Sequence, residues 1–502
     1  MSDVYSIAYR PVWTVVIPSV VALLILFSGK RPNARESCTL IGSAVLCYTV
    51  LSMSPFVLKY GPIPFIWFNF LPNIDFAFRV DGLGLIFATT SSCLWILVSI
   101  YSIGYMRSLN EHAQTRYYFC FAMALAGAIG IAFAANLVTL FVFYEILTLS
   151  TYPLVAHDET PKAMHGGHKY LAYLLSGGVF FLLGILITYN LAGTTDFAPK
   201  GILTPTFDAT SKLTLQIAFF CFMLGFMKAA WMPVHSWLPT AMVAPTPVSA
   251  LLHAVAVVKA GVFGIIRTVF YLYGTDLMHE LGLGLTLACI ASFTIIVANL
   301  YAIGQDNLKR LLAYSTINQL SFIILGAAIL SPKAAIGAMI HITYHGFMKI
   351  TLFLCAGAIM VVTGIKQISH MAGIGRVMPI TMMAFTVAAF GMSSIPPVAG
   401  FISKWYFCLG TIQADKIAFL LVAITASILD LVYFFPIVRT AFFDRSTQAK
   451  GKETGQPLYL FMVIPLAITG IFSIIYCLFP NTFHIFDLAQ MAAKDIFGGM
   501  SE

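Results

Sequence analysis

The chain has 502 residues, 59% of them hydrophobic and only 10% charged, with a mean hydropathy of +0.89. No soluble domain of this size carries such a composition, so the bilayer is its solvent. The formal net charge is +8, but Lys and Arg are scattered through the loops between apolar runs, a pattern that encodes topology and excludes nucleic-acid binding.

Apolar runs of roughly 20 residues, enough to carry a helix across about 30 Å of hydrocarbon, recur along nearly the whole chain. Because the runs are continuous, not alternating, helices are expected and a β-barrel is not. The first run, Val12 to Phe27, is followed by Lys30, Arg31 and Arg35 with no small-residue cleavage site, and it reads as a retained helix. In chain order the expected helices lie near 12–28, 39–58, 83–105, 117–135, 137–156, 168–191, 214–238, 247–272, 283–302, 309–330, 335–362, 378–413, 417–441 and 457–480. The fold expected is therefore an all-α integral membrane protein of about fourteen transmembrane helices in one polytopic domain, 1–502.

Loops after odd-numbered helices hold most of the positive charge: Lys30, Arg31, Arg35; Arg107, Arg116; Lys162; Lys309, Arg310; Lys366, Arg376; and Arg445, Lys450, Lys452. The positive-inside rule makes these loops cytoplasmic and puts both termini outside the cytoplasm. Nine cysteines (Cys38, Cys47, Cys93, Cys120, Cys221, Cys289, Cys355, Cys408, Cys477) stand singly, with no pair at disulfide-framework or metal-ligand spacing. No iron–sulfur cluster, structural zinc or other cofactor is expected in this chain.

Two expected helices are interrupted in comparable ways. The seventh contains Met232-Pro233-Val234-His235-Ser236-Trp237-Leu238-Pro239 followed by Ala244-Pro245-Thr246-Pro247; the twelfth contains Ser393-Ser394-Ile395-Pro396-Pro397-Val398-Ala399-Gly400. Proline lacks the donor and clashes four residues back, so Pro233 frees the carbonyl of Ala229, and Pro396 and Pro397 free those of Met392 and Ser393. Open backbone at membrane depth is tolerated only against protein or a water cavity. Paired interruptions point to two inverted repeats, about 117–272 and 283–441, with a transport path between them. Simple structural kinks are the plainer account; the neighbouring charge argues against it.

Glu145 is the one acid of its helix, and Lys228 lies just before the first interruption. His253 and Lys259 share the next helix, His341, His345 and Lys349 share another, and Lys404 follows the second interruption. Each costs roughly 2.5–3.5 kcal/mol at the centre of a lipid-facing helix, so together they should face a hydrated interior. The four-residue spacing of His341, His345 and Lys349 puts them on one face over about 12 Å of rise, a candidate proton wire. An acid beside a lysine holds it charged, so a Glu145–Lys228 contact would act as a switch; a merely stabilising pair is the alternative. Lys169, Lys309 and Asp430 are accessory candidates; Asp430 either pairs with a lysine or bonds a neighbour. The stretch His157, Asp158, Glu159, His165, His168 reads as a solvated loop, because no ligand spacing in it is convincing for a metal.

At these residues the sequence resembles the antiporter-like subunits shared by respiratory complex I, energy-converting membrane hydrogenases and Mrp-type Na+/H+ antiporters. The matching stretches are Phe78-Arg79-Val80-Asp81-Gly82-Leu83, Phe143-Tyr144-Glu145, His235 to Pro239, Ala244 to His253, Leu308 to Ser315, His341 to Lys349 and Gly400-Phe401-Ile402-Ser403-Lys404. The resemblance implies inverted repeats at helices 4–8 and 9–13, a Glu145–Lys228 pair, a central Lys259, a route past His341, His345 and Lys349, and Lys404 as its terminal lysine. Lysine at 404 fits an Mrp-D-like or hydrogenase-type subunit. It also implies a place in the cell inner membrane beside homologous and smaller membrane subunits, with any electron transfer in partner chains such as a soluble redox arm. Two other functions are compatible with the residues: a stand-alone transporter of a small solute, and a membrane scaffold for a soluble enzyme.

Overall fold

The computed structural model describes residues 7–71, 74–444 and 457–498; the expected basic positions Arg445, Lys450 and Lys452 lie outside them. The chain begins with α1 (Arg10–Phe27), α2 (Pro32–Leu51) and the short α3 (Ser54–Tyr60). Next comes an antiparallel hairpin, β1 (Ile63–Leu71) and β2 (Ile74–Val80), an element the sequence reading did not anticipate. Its register pairs Ile63 with Val80 and slips twice, between Ile66 and Phe68 and between Asn69 and Leu71. Phe76 and Phe78 anchor it on Phe143, each with ring centroids 5.7 Å away.

The helices that follow are α4 (Gly82–Ser108), α5 (Gln114–Phe133), α6 (Leu137–Val155), α7 (Pro161–Ala192) and α8 (Lys212–Gly225). Asp81 caps α4 by accepting from the Gly84 amide at 2.8 Å and also holds Arg267 through two bonds of 2.6 and 2.8 Å. Asn136 caps α6 and Thr160 caps α7 through side-chain oxygens, as helix entrances favour. Small residues let helices close in: a Cβ on Gly127 would touch the Leu147 backbone of α6 at 3.1–3.2 Å.

After α8 the seventh span breaks. A 3-10 turn (Met227–Ala229) leads to Ala230 in a left-handed conformation, φ 53°, and then irregular backbone to the single-turn α9 (Trp237–Thr240). Indoles bind carbonyls at the break: Trp231 Nε1 donates to Met223 O and Trp237 Nε1 to Met227 O, both at 3.1 Å. A long crossing then runs from Thr246 to Glu280 as α10 (Thr246–Ala250), α11 (Val257–Arg267) and α12 (Gly274–Glu280), joined by π-helical segments at Leu251–Val255 and Thr268–Tyr273. It is buried from Thr246 to Gly274.

The second half holds α13 (Leu283–Ile303), α14 (Leu308–Ala328), α15 (Pro332–Thr363), the short α16 (Ile374–Val377), α17 (Pro379–Met392), α18 (Gly400–Gln413), α19 (Ile417–Phe443), α20 (Pro457–Leu478) and α21 (Ile485–Phe497). The break between α17 and α18 mirrors the first: Ser394, three residues before Pro397, is left-handed at φ 64°, as Ala230 is three residues before Pro233. Among the described residues twelve helices are long and apolar enough to cross a membrane. The count of fourteen depends on treating each interrupted segment as one further crossing, since the helices before the breaks, α8 and α17, have only 14 residues each.

The expected basic loops gather at one end. Arg107 binds Glu36, Arg35 reaches Gln114 Oε1 at 2.7 Å, and Arg116 binds Glu159. All nine cysteines are free, yet Cys47 of α2 and Cys93 of α4, 46 residues apart, bring their sulfurs to 3.4 Å, a pairing that sequence spacing could not reveal.

Candidate proton-transfer site

Asp430, on α19 and fully buried, is the centre of the polar interior. Its Oδ2 accepts from Gln319 Nε2 at 2.8 Å and from Lys404 Nζ at 3.4 Å; its Oδ1 accepts from Asn318 Nδ2 at 2.9 Å and from the Tyr433 hydroxyl. Both readings of Asp430 thus hold at once, because it pairs with a lysine and bonds its neighbours. Four donors spread the charge of a carboxylate that has no access to water, the condition under which a buried ion is tolerable.

Two branches leave this carboxylate. In one, Gln319 turns its amide oxygen to His341 Nε2 at 3.1 Å, and His341 Nδ1 meets Ser403 Oγ at 2.8 Å. Since the Gln319 amide group donates to Asp430, its oxygen must accept, which assigns the His341 hydrogen to Nε2. The stacked His345 ring lies 5.8 Å on, and its Nδ1 is hydrogen-bonded with Lys259 Nζ at 2.6 Å. In the other branch Tyr433 meets Ser315 Oγ at 3.0 Å, and Ser315 accepts from Lys349 Nζ at 2.9 Å. The three titratable residues of α15 do share a face, but no direct hydrogen bond joins them. Their bonds run sideways, through α14 and onward to α11, α18 and α19.

Lys404 carries a second anchor. Its Nζ donates to Met392 O at 3.0 Å, the carbonyl that Pro396 was expected to free, and to Ser427 Oγ at 3.1 Å. The broken helix therefore uses the lysine itself to satisfy its open end. At the first break Lys228 turns instead to the neighbouring α6: its Nζ donates to Tyr144 O at 2.5 Å and sits 3.2 Å from the Tyr144 ring centroid. Such a cation–π contact, desolvated, is worth about 2 kcal/mol.

The expected Glu145–Lys228 ion pair is not among the salt bridges of the described residues. The neighbouring Tyr144 takes the ammonium, and both Glu145 carboxylate oxygens are buried without a hydrogen-bond partner. Glu145 packs instead against the backbone of α7, where a Cβ on Gly178 would lie 2.5 Å from its Oε1. His253, in the first π segment, is fully buried with both ring nitrogens unpartnered, its ring centroid 4.7 Å from that of Phe353 and tilted to it, and so stands apart from the network. Lys169 bonds Thr240 Oγ1 at 3.2 Å, beside the first break. Lys309 donates to Ala244 O at 2.5 Å, just before Pro245. Of the broken-helix prolines, Pro233, Pro396 and Pro397 are exposed, while Pro245 and Pro247 are buried.

A cavity of about 600 Å³ opens at the end of the molecule that gathers the basic loops. Glu111, Asp158, Lys162, Lys309 and Lys366 line it together with Pro245 and Thr246 of the interrupted span. Neutral residues missed in the sequence supply the bridges of the network: Ser315, Asn318, Gln319, Ser403 and Tyr433. A signal was present, since Ser315, Asn318 and Gln319 stand at i, i+3 and i+4 and therefore on one face of α14.

Fold and interior define a multi-pass α-helical membrane protein whose central crossing and broken helices enclose a row of ionisable groups. The chain belongs to the NADH:quinone oxidoreductase/Mrp antiporter transmembrane family, whose model matches residues 134–430; residues 67–118 match the N-terminal model of complex I chain 5. It is 30% identical over 488 residues to NADH-quinone oxidoreductase subunit N of Desulforudis audaxviator, covering 94% of this chain and 96% of that one. It is 29% identical over 441 residues to Na(+)/H(+) antiporter subunit A1 of Staphylococcus aureus, covering 82% of this chain but 54%, about half, of that longer relative. In fold it is similar to a chain of the Mrp complex of Dietzia sp. DQ12-45-1b, with TM-score 0.87, 19% identity and 98% of each chain covered. A chain of the archaeal membrane-bound sulfane sulfur reductase aligns with TM-score 0.85, 22% identity and 97% of each chain covered.

Proposed function

We propose that this chain is a proton-translocating, antiporter-like membrane subunit of a larger complex, working as a redox-driven pump or in exchange for sodium. The observation that carries the reading is the buried lattice Lys349–Ser315–Tyr433–Asp430–Lys404, joined through Gln319 and His341 to the Lys259–His345 pair. The Ser315 and Tyr433 hydroxyls can reverse their bonds by rotating, whereas the Gln319 amide links His341 to Asp430 by charge and His345 follows His341 across a ring contact of 5.8 Å. A proton added at one lysine therefore changes the charge balance at Asp430 and, through it, at the others. Glu145, with no bonded partner, is free to respond to the charge state of Lys228 close by.

The complex holds the chain in the cell inner membrane, beside homologous antiporter-like subunits and smaller membrane subunits, with both termini outside the cytoplasm. The two interrupted spans divide inverted repeats of about 117–272 and 283–441. Electron transfer, where the complex performs it, takes place in partner chains such as a soluble redox arm, and this chain supplies no redox centre. The cavity under Lys309 is the proton-uptake vestibule of the first half, with Lys169 on its flank.

The test is proton pumping by the intact complex in sealed vesicles, comparing wild type with Lys228→Ala and Lys404→Ala at equal assembly. Pumping is expected to fall in both variants. If both pump at the wild-type rate, the row is structural and the chain is a scaffold.

A further inference from the structure

The His-rich stretch after α6 does not ligate through local spacing, but folding brings a second loop to it. Glu111 and His112, in the turn between α4 and α5, meet His157 so that one ligand atom from each lies within 4.8 Å of the others. Glu111 Oε2 is 3.9 Å from His157 Nε2, and the two imidazole centroids are 4.9 Å apart. His157 is fully buried, with both ring nitrogens lacking a hydrogen-bond partner. A buried imidazole with no bond is costly unless a ligand takes its lone pair.

The surroundings suit a cation. Asp158 and Glu159 follow His157 in sequence, and the nearby Arg116 charge is engaged by Glu159, with a further bond to the His157 carbonyl at 3.1 Å. Two imidazoles and one carboxylate are the donor set of borderline metals, and three protein ligands leave a fourth, water-filled position. Ligand atoms about 2.1 Å from a tetrahedral ion sit roughly 3.4 Å apart, which asks the exposed His112 side chain to move by about 1 Å.

We propose that Glu111, His112 and His157 form a binding site for Zn2+ on the wall of the Lys309 cavity, and that zinc bound there slows proton uptake. Glu111 belongs to both the site and the cavity, so a bound dication would stand beside Asp158 and Lys309 and withdraw a carboxylate from the vestibule. The second half of the proposal rests on the proton-translocating reading; the first does not.

The experiment uses the purified intact complex, stripped with a chelator and titrated with ZnCl2 against a fluorescent competitor. Alongside wild type run His112→Ala, on an exposed side chain, Glu111→Gln and His157→Ala. Wild type is expected to hold one more zinc per complex than the variants, whose affinity at that site falls about tenfold or more. Equal stoichiometry and affinity in wild type, His112→Ala and Glu111→Gln would overturn the site. In sealed vesicles zinc should slow pumping by wild type and spare His112→Ala; pumping that ignores zinc in the wild type would overturn the blocking role. A wild-type complex that binds zinc but never pumps would count against the proton-translocating reading alone.

Discussion

Asp430 shows what one carboxylate does when it is buried among donors. Its two oxygens engage Lys404, Tyr433, Asn318 and Gln319, so its charge is coupled to both branches of the network. Asp430→Asn keeps the shape but removes the charge and turns one acceptor into a donor facing donors. Lys404 would then lose its counter-ion, and the proton relay its central base. Proton pumping should fall on the order of 10²-fold, the lower range for a positioned proton-transfer group, while assembly on native gels persists. Tyr433→Phe, which breaks only the Ser315 branch, should cost less, and comparing the two rates separates the branches. The ionisable members of this site were legible because charge inside an apolar run is conspicuous. Asn318, Gln319 and Ser315 were not singled out, because neutral polar residues occur in many membrane helices. Glu145 and Lys228 interact by charge without meeting at ion-pair distance, because the carbonyl and ring of Tyr144 engage the ammonium.

At the scale of elements, the interrupted spans hold together through backbone contacts that only glycine permits. A Cβ on Gly261 of α11 would overlap the backbone nitrogen of Ala229, next to Lys228, and one on Gly400 would overlap the carbonyl oxygen of Gly391 at the second break. Neither neighbour is a flexible side-chain end, so the backbone itself would have to move. Gly261→Ala and Gly400→Ala are each expected to destabilise the chain by about 1–3 kcal/mol or more, read as a lower midpoint in thermal unfolding of the detergent-solubilised complex. A second brace joins the ends of two elements, Arg267 of α11, bonded through both terminal nitrogens, and Asp81 at the entrance of α4. Asp81→Ala leaves a guanidinium buried and unpaired and takes away a helix cap, so a loss of roughly 3–5 kcal/mol is expected, larger than for either glycine. The membrane-length helices and both breaks were readable from hydropathy and proline, but α21 (Ile485–Phe497) lies beyond the last expected helix. The π segments and the hairpin were not readable. Wide turns come from packing and not from pattern, and the run Ile63 to Phe68 shows no alternation of apolar and polar residues.

For the whole molecule, acid stability depends on the end that gathers the charged loops. His157 is neutral in the folded chain, with a pKa lowered from 6.5 to about 4, first by burial and then by His112 and Arg116; Glu159 pulls the other way. The unfolded chain binds a proton there below pH 6.5 and the folded one does not, so stability must fall as pH drops from 6.5 toward 4. Glu111 and Asp158, whose carboxyls burial raises, act with the opposite sign, since the folded chain protonates them first as pH falls. The unfolding midpoint of wild type alone therefore mixes both effects, and a difference between variants is the informative quantity. His157→Phe removes one titration and keeps an aromatic ring against Tyr117, whose centroid is 6.0 Å away. Measured in chelator, the gap between wild-type and His157→Phe unfolding midpoints should shift in favour of the variant as pH is lowered from 7 to 5. A gap that stays constant over that range would mean that His157 takes up its proton in the folded protein as readily as in the unfolded one, and the dry pocket around it would have to be open to water.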